Sequence, residues 1–367
     1  MISTRLAVFE EGEVIAKPSR GPRTLILELT TRCNLNCTMC FRRSWSEELG
    51  DMSERTFRRA LEGALEAGTS FVWFAGWGEP LIHPKFLEWV WEVKGLGLGL
   101  GINTNGTLLD EELAIELVKA GVDRITVSVD AASEGVYRSI RGGDLAAIVR
   151  ALRAIHSAKK EKGSVHPILE FSFTATKDNI HELPKLFDLA ERAGVGRIIV
   201  SNVIPTTRPL EDKVLYNGWG GEDWVWDVVG RKSLETNVGA RLPEFSLRTE
   251  RSCMFIKSRS SCITWDGKVA PCYNFLHTYT AYVFGIEKNI KQVSFGSLGR
   301  ESLTEIWRKP EYVAFRYRTL FFRYPSCADC RLRHYCMFVE SADMDCWGNT
   351  PTCADCLYGR GIVQCPL

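Results

Sequence analysis

Three cysteines lie close together at Cys33, Cys37 and Cys40, in the stretch Thr31-Arg32-Cys33-Asn34-Leu35-Asn36-Cys37-Thr38-Met39-Cys40. No other cysteine occurs before Cys253. The remaining ten are Cys253, Cys262, Cys272, Cys327, Cys330, Cys336, Cys346, Cys353, Cys356 and Cys365. Cysteines used as small apolar core residues would be scattered through every strand and helix, so the long gap argues for two separate metal-handling regions. A C-x3-C-x2-C loop gathers three thiolates within one turn. Zinc prefers a closed set of four ligands, whereas a [4Fe–4S] cluster held by only three cysteines keeps one iron open to a small molecule. That open position separates a catalytic cluster from a structural one. Zinc with a remote fourth ligand is the alternative reading.

The elements that position these thiols are legible between residues 24 and 203. Apolar runs at Thr24–Thr30, Phe71–Ala75, Leu98–Asn103, Arg124–Asp130, Ile168–Ala175 and Arg197–Val203 predict strands. Amphipathic stretches predict helices over Ser53–Ala67, with Ser53 as its cap, and over Pro84–Lys94, Asp110–Ala120, Leu145–Lys160 and Asn179–Ala193. Gly68, Gly95, Gly121 and Gly194 supply the stops. Repeated β-α units without hairpin signals imply an α/β fold with a parallel sheet, either barrel-like or doubly wound. In both, ligands bind beyond the carboxyl ends of the strands. There the chain carries the cysteine loop, then Gly76-Trp77-Gly78-Glu79-Pro80, then Thr104-Asn105-Gly106-Thr107, with Ser128 and Asp130 closing the fourth strand. Glycines permit close backbone approach to a ligand, and Glu79 can accept hydrogen bonds from an amine.

With those residues in place, the chain resembles the radical S-adenosylmethionine (SAM) enzymes. Cys33, Cys37 and Cys40 match the C-x3-C-x-aromatic-C motif of that family, with Met39 where an aromatic is usual. Gly76–Pro80 matches the loop that contacts the methionine amine, with Trp77 in place of the second glycine. The resemblance implies a partial (β/α)6 barrel over 24–203. It further implies a [4Fe–4S] cluster on the three catalytic cysteines, and SAM bound by Gly76, Gly78, Glu79, Thr104, Asn105, Ser128, Asp130 and Ser201. Ile199–Val203 would run under the adenine. Reductive cleavage of SAM to a 5′-deoxyadenosyl radical would follow, fed by a low-potential donor such as ferredoxin.

The C-terminal cysteines resemble a SPASM domain. Cys253, Gly267 and Cys272 meet its C-x(9–15)-G-x4-C pattern, and Cys327, Cys330 and Cys336 its C-x2-C-x5-C element. By that resemblance two auxiliary [4Fe–4S] clusters are held, the first by Cys253, Cys262 and Cys272 and the second by Cys327, Cys330 and Cys336. Each is completed from Cys346, Cys353, Cys356 and Cys365, with Cys346 given to the second; two cysteines stay spare. The competing reading is a zinc ribbon built on Cys327-x2-Cys330 and Cys353-x2-Cys356 with His334 nearby. Trp265–Cys272 predicts a hairpin turning at Gly267. The chain thus divides into an N-terminal extension (1–23), the core (24–203), a bridging segment (204–250) and the cluster domain (251–367). In the bridge, Trp219, Trp224 and Trp226 read as an aromatic wedge or a substrate-facing wall, the last two sharing one side of a strand. The extension is too short for an independent module.

Net charge is +1 with 45% apolar and 25% charged residues. This excludes a disordered chain and a nucleic-acid binder driven by charge. No apolar run is long enough to span a bilayer, and the N-terminus lacks a secretory signal. A cytoplasmic, reducing compartment follows, where thirteen cysteines bind metal rather than form disulfides. Phe74–Pro80, the tail Asp345-Cys346-Trp347-Gly348-Asn349, Cys353, Cys356 and Gln364-Cys365-Pro366 resemble the maturases of tungsten-containing aldehyde ferredoxin oxidoreductases. That implies modification of the tungstopterin cofactor or its host protein. Radical modification of a peptide or tetrapyrrole is the alternative; a non-enzymatic iron–sulfur carrier is a second, which leaves Gly76–Pro80 without purpose.

Overall fold

The computed structural model describes residues 4–9, 12–218 and 220–364. The chain opens with a hairpin, β1 (Thr4–Phe9) and β2 (Gly12–Ala16). Six parallel strands follow: β3 (Thr24–Leu27), β4 (Phe71–Phe74), β5 (Gly99–Thr104), β6 (Arg124–Ser128), β7 (Ile168–Ala175) and β8 (Arg197–Asn202). They lie side by side in chain order. A doubly wound sheet would reverse its order partway; here every crossover steps the same way, as in a barrel. The sheet stays open, and both edges are extended from later in the chain. β9 (Gly239–Arg241) adds beside β8, and β10 (Ser260–Ile263) pairs in parallel with β3, setting Cys262 opposite Ile26. β11 (Val269–Ala270) turns back antiparallel on β10, the predicted hairpin, with Gly267 at φ +85°. Bridge and cluster domain are therefore continuous with the core sheet. A separate hairpin, β12 (Tyr279–Val283) and β13 (Ile286–Ile290), completes the strands.

The helices are α1 (Glu54–Ala67), α2 (Phe86–Gly95), α3 (Glu111–Ala120), α4 (Glu134–Arg141), α5 (Leu145–Lys162), α6 (Leu183–Ala193), α7 (Arg208–Glu211), α8 (Glu222–Thr236), α9 (Met254–Lys257), α10 (Leu303–Arg308) and α11 (Pro310–Leu320). Ser53 caps α1 as predicted, its side chain accepting from the Thr56 N–H. Gly68, Gly121 and Gly194 end their helices in the left-handed conformation. Gly95 differs, being the last residue of α2, with Gly97 taking the positive φ. Trp224 and Trp226 lie on α8, not on a strand, and are 41% and 52% exposed while Val225, Val228 and Val229 are buried. Two residues apart on a helix do not share a face, so the reading of these two as a strand-borne wall is corrected; Trp219 lies outside the described residues. No helix among the described residues is long and apolar enough to cross a membrane.

The core lies between the sheet and the helices that cover it. β3 is apolar on both faces, with Leu25, Ile26 and Leu27 sealed from solvent, and Val72 and Phe74 of β4 and Ile125 and Val127 of β6 are sealed with them. Beneath α2, Trp89 stacks on Phe57 with ring centroids 4.0 Å apart and on His83 at 4.2 Å. Trp89→Ala empties that stack and is expected to cost about 3–5 kcal/mol. Leu65→Ala, on the exposed side of α1, should stay within about 0.5 kcal/mol. Chemical denaturation of both variants measures the difference.

Candidate functional site

Beyond the carboxyl ends of β3 to β8 the loops enclose a cavity of about 260 Å³. Cys33, Cys37 and Cys40 line it from the loop after β3, and Gly76, Gly78 and Glu79 from the loop after β4. Thr104 and Asn105 reach it from β5, Ser128 from β6 and Ser201 from β8. Residues far apart in sequence share this mouth because each strand delivers its following loop to the same end of the sheet.

The two loops that carry the chemistry touch through backbone. The Glu79 N–H donates to the Arg32 carbonyl at 2.8 Å. A Cβ on Gly78 would lie 2.2 Å from the Thr30 carbonyl oxygen, so only glycine fits. The approach places Glu79 beside the cysteine loop, 2% exposed. Its Oε1 accepts from the Thr104 hydroxyl (2.7 Å) and the Leu81 N–H (3.2 Å), and its Oε2 from the Asn105 N–H (2.7 Å). Burial pushes the carboxyl up to about 7, against the pull of those hydrogen bonds and the charge of Arg141. The Asn105 side chain donates to Asn34 Oδ1 at 2.9 Å and lies 3.7 Å from Cys33 Sγ, tying the β5 loop to the cysteines.

Asp130 is fully buried but does not line the cavity. It accepts from the Thr174 N–H at 2.6 Å and pairs with Arg141. Arg141, on α4, is the residue that faces the cavity, 3.8 Å from Cys37 Sγ. It was missed in the sequence because α4 carries no strand-end signal and its partners are remote along the chain. Burial raises the Cys37 and Cys40 thiols, with Arg141 pulling both down. Of the adenine stretch, Ile199, Ser201, Asn202 and Val203 line the cavity. Asn103, also unforeseen, lines it with a buried side-chain oxygen that has no hydrogen-bond partner among the described residues. Three thiols, a recessed carboxylate and an unsatisfied amide oxygen suit a polar ligand beside a metal cluster.

The C-terminal thiols fall into two groups. Cys253, Cys272, Cys353 and Cys356 surround a small apolar cavity walled by Phe255, Ile256 and Phe315. Burial raises all four, Cys356 to about 12. Cys262 does not line this cavity; it sits in β10 with no solvent exposure, and the pair Cys353 and Cys356 replaces it. Thiols that feel the charges of Asp355, Lys288 and Arg333 form the second group. Cys327 feels Asp355, Lys288 and Cys346, and Arg333 feels Cys327 and Cys330. Cys336 follows within the same loop, and Cys330 and Cys346 are exposed. Cys365 lies outside the described residues. Among the described residues, Tyr358 alone lines both the site cavity and the apolar thiol cavity.

Two family models match separate parts of the chain. Residues 27–190 match the radical SAM superfamily, and residues 253–331 match SPASM, described as an iron–sulfur cluster-binding domain. The chain is 40% identical over 347 residues to a tungsten-containing aldehyde ferredoxin oxidoreductase cofactor-modifying protein of Pyrococcus furiosus, covering 94% of this chain and 97% of the relative. It is 28% identical to a PqqA peptide cyclase of Gluconobacter oxydans, covering 80% of this chain and 79% of that one. In fold it resembles SuiB of Streptococcus suis, with a TM-score of 0.62 at 17% identity over 87% of this chain and 72% of SuiB. Native anSMEcpe with bound AdoMet follows with a TM-score of 0.58 at 16% identity, over 84% of this chain and 87% of that one. These matches favour clusters over the zinc ribbon: SAM and a [4Fe–4S] cluster serve the core, and auxiliary iron–sulfur clusters the C-terminal domain. Sharing two-fifths of its residues with one such protein across almost its whole length, the chain belongs to the radical SAM superfamily, as an enzyme with a C-terminal SPASM domain.

Proposed function

We propose that this enzyme cleaves SAM reductively at a cluster on Cys33, Cys37 and Cys40 and uses the radical to modify the tungstopterin cofactor, or the host protein, of a tungsten-containing aldehyde ferredoxin oxidoreductase. The likeness to the Pyrococcus protein across both domains supports this reading. When bound, the cluster and SAM supply one-electron cleavage to a 5′-deoxyadenosyl radical, which abstracts a hydrogen atom. The chain's own residues have simpler tasks. Cys33, Cys37 and Cys40 hold three irons as thiolates, so loading releases protons from the raised thiols. Glu79 receives the ammonium of SAM. Thr104 and Asn105 keep its two oxygens aimed, and Asn103 offers its free oxygen to a donor on the ligand. Ser128 and Ser201 present hydroxyls, and Asp130 acts through Arg141 and β7. Met39, Phe41, Trp77 and Ile199 supply apolar lining that keeps out water that would quench a radical.

For the auxiliary clusters we assign Cys253, Cys272, Cys353 and Cys356 to the first and Cys327, Cys330, Cys336 and Cys346 to the second. Cys262 and Cys365 then remain as the two spare thiols. A low-potential donor such as ferredoxin feeds the electron.

The deciding experiment is mass spectrometry of the tungsten oxidoreductase and its extracted cofactor, produced with and without this enzyme. A mass change that depends on the enzyme supports the reading; identical spectra overturn it and return attention to peptide or tetrapyrrole substrates. Replacing Cys33, Cys37 and Cys40 together by Ala should reduce 5′-deoxyadenosine to background and lower iron from about twelve to about eight per chain. Anaerobic reconstitution with iron analysis and product chromatography reads both. Glu79→Gln should raise KM for SAM about 10–100-fold, the loss of a hydrogen-bonded charge pairing. Because only the ionised carboxyl attracts an ammonium, the wild-type KM should fall as pH rises through about 7. That limb should vanish in Glu79→Gln, as initial rates from pH 6 to 8.5 would reveal.

A further inference from the structure

Outside the cavity, three ionisable side chains meet, two of them sealed from solvent and the third, Glu47, partly exposed. His277 is 1% exposed and Glu28 is fully buried. His277 Nε2 lies 2.9 Å from both oxygens of Glu28, and its Nδ1 lies 2.6 Å from Glu47 Oε2. The Thr278 N–H donates to the other Glu47 oxygen at 2.7 Å. Burial alone would strip the proton from the imidazole, but the two carboxylates outweigh it and raise the group to about 9. The three residues come from separate places: Glu28 follows β3, Glu47 follows the cysteine loop, and His277 belongs to the cluster domain.

Glu28 has a second partner. Its Oε1 accepts the Trp77 N–H at 3.0 Å, and a Cβ on Gly76 would lie 2.5 Å from its Cγ. On the other side, the Tyr273 hydroxyl donates to the Gly76 carbonyl. The Gly76 C=O and the Trp77 N–H belong to one peptide unit, so its plane is held at both polar ends. Glu79 lies two residues further on. The Trp77 ring is walled by Phe41 (4.7 Å), Trp45 (5.2 Å) and His277 (5.1 Å between centroids).

We propose that Glu28, His277 and Glu47 form a charged clamp through which the cluster domain, together with Tyr273, sets the orientation of the Gly76–Trp77 peptide and so of the SAM-binding loop. His277 is a positioning residue: it touches no ligand and acts by fixing the Glu28 carboxylate. The inference rests on the reading of Gly76–Pro80 as the SAM contact. A buried ion group is poor evidence of stability, since apolar residues of similar size often pack as well. What these charges accomplish is directional. A carboxylate held by an imidazolium presents its oxygen to one amide, and a peptide gripped at both ends cannot rotate.

The test compares His277→Gln, Glu47→Gln and Tyr273→Phe with the wild type, each reconstituted to full iron. Hydrogen–deuterium exchange of residues 74–80 should speed up in all three. In His277→Gln the Trp77 amide should exchange about tenfold faster, as befits the loss of a hydrogen bond to a charged group. KM for SAM should rise about tenfold while kcat for 5′-deoxyadenosine stays within about twofold. The shift that SAM causes in the electron paramagnetic resonance spectrum of the reduced cluster should need more SAM to saturate. Glu47→Gln, whose site is partly exposed, should move the same readouts in the same direction by less, and it decides the matter if His277→Gln does not fold. Wild-type exchange at Trp77 with wild-type KM in a folded variant overturns the clamp and leaves the SAM reading intact. A wild type that neither binds nor cleaves SAM overturns both.

Discussion

The backbone after β4 lies so close to the backbone after β3 that no side chain fits between them at Gly78. The remaining geometry of the site depends on that contact. It places the Glu79 N–H on the Arg32 carbonyl and swings the Glu79 carboxylate into the pocket beside three thiols. Once there, the carboxylate is shut away from water, and its pKa rises because burial outweighs the donors around it. A group so poised takes up a cationic partner readily, since the partner supplies the counter-charge that the fold withholds. Asn105, bound to Glu79 through its backbone and close to Cys33 through its side chain, joins the third loop to the same assembly. Loops from three strands are thus joined by hydrogen bonds at one mouth.

The second principle of the architecture is the sharing of one sheet. Because β10 pairs in parallel with β3, the cysteine-rich domain is hydrogen-bonded to the strand that carries the catalytic loop rather than tethered by a linker. Main-chain pairing sets the domain's position by register, and β9 does the same at the opposite edge. Cys272 leaves this pairing directly into the thiol cavity, where Cys253, Cys353 and Cys356 meet it. The next residue, Tyr273, reaches back to Gly76. Side chains either side of one peptide bond therefore face the thiol cavity and the larger cavity at the strand ends.

Charge balance near the thiols follows the same economy. Lys288 and Asp355 pair at 3.0 Å with both side chains nearly sealed, beside Cys327, and Arg333 donates to the carbonyls of Ala328 and Val283. Cations held this way sit ready to offset the negative charge that thiolates carry when they bind iron. At the catalytic cavity Arg141 has the corresponding position, held by Asp130 and directed at Cys37.

Much of this was legible in the chain. The strand–helix alternation, the Ser53 cap, the stops at Gly68, Gly121 and Gly194 and the three loops at the strand ends are local properties, written in periodicity and turn residues that act over a few positions. So was the gathering of Cys33, Cys37 and Cys40 in one loop, since C-x3-C-x2-C is a contiguous pattern. What lay beyond reach depends on contacts across long separations. Nothing local in the sequence says that Asp130 is engaged by Arg141, that Cys353 and Cys356 displace Cys262 beside Cys253 and Cys272, or that Trp224 and Trp226 ride on a helix. Nor does it place Glu28 against His277, 249 residues away. The sequence alone determined which groups are present and at which end of the sheet they emerge. Only the tertiary structure decided which of them meet, because burial, charge pairing and sheet register are set by neighbours that the chain brings together only on folding.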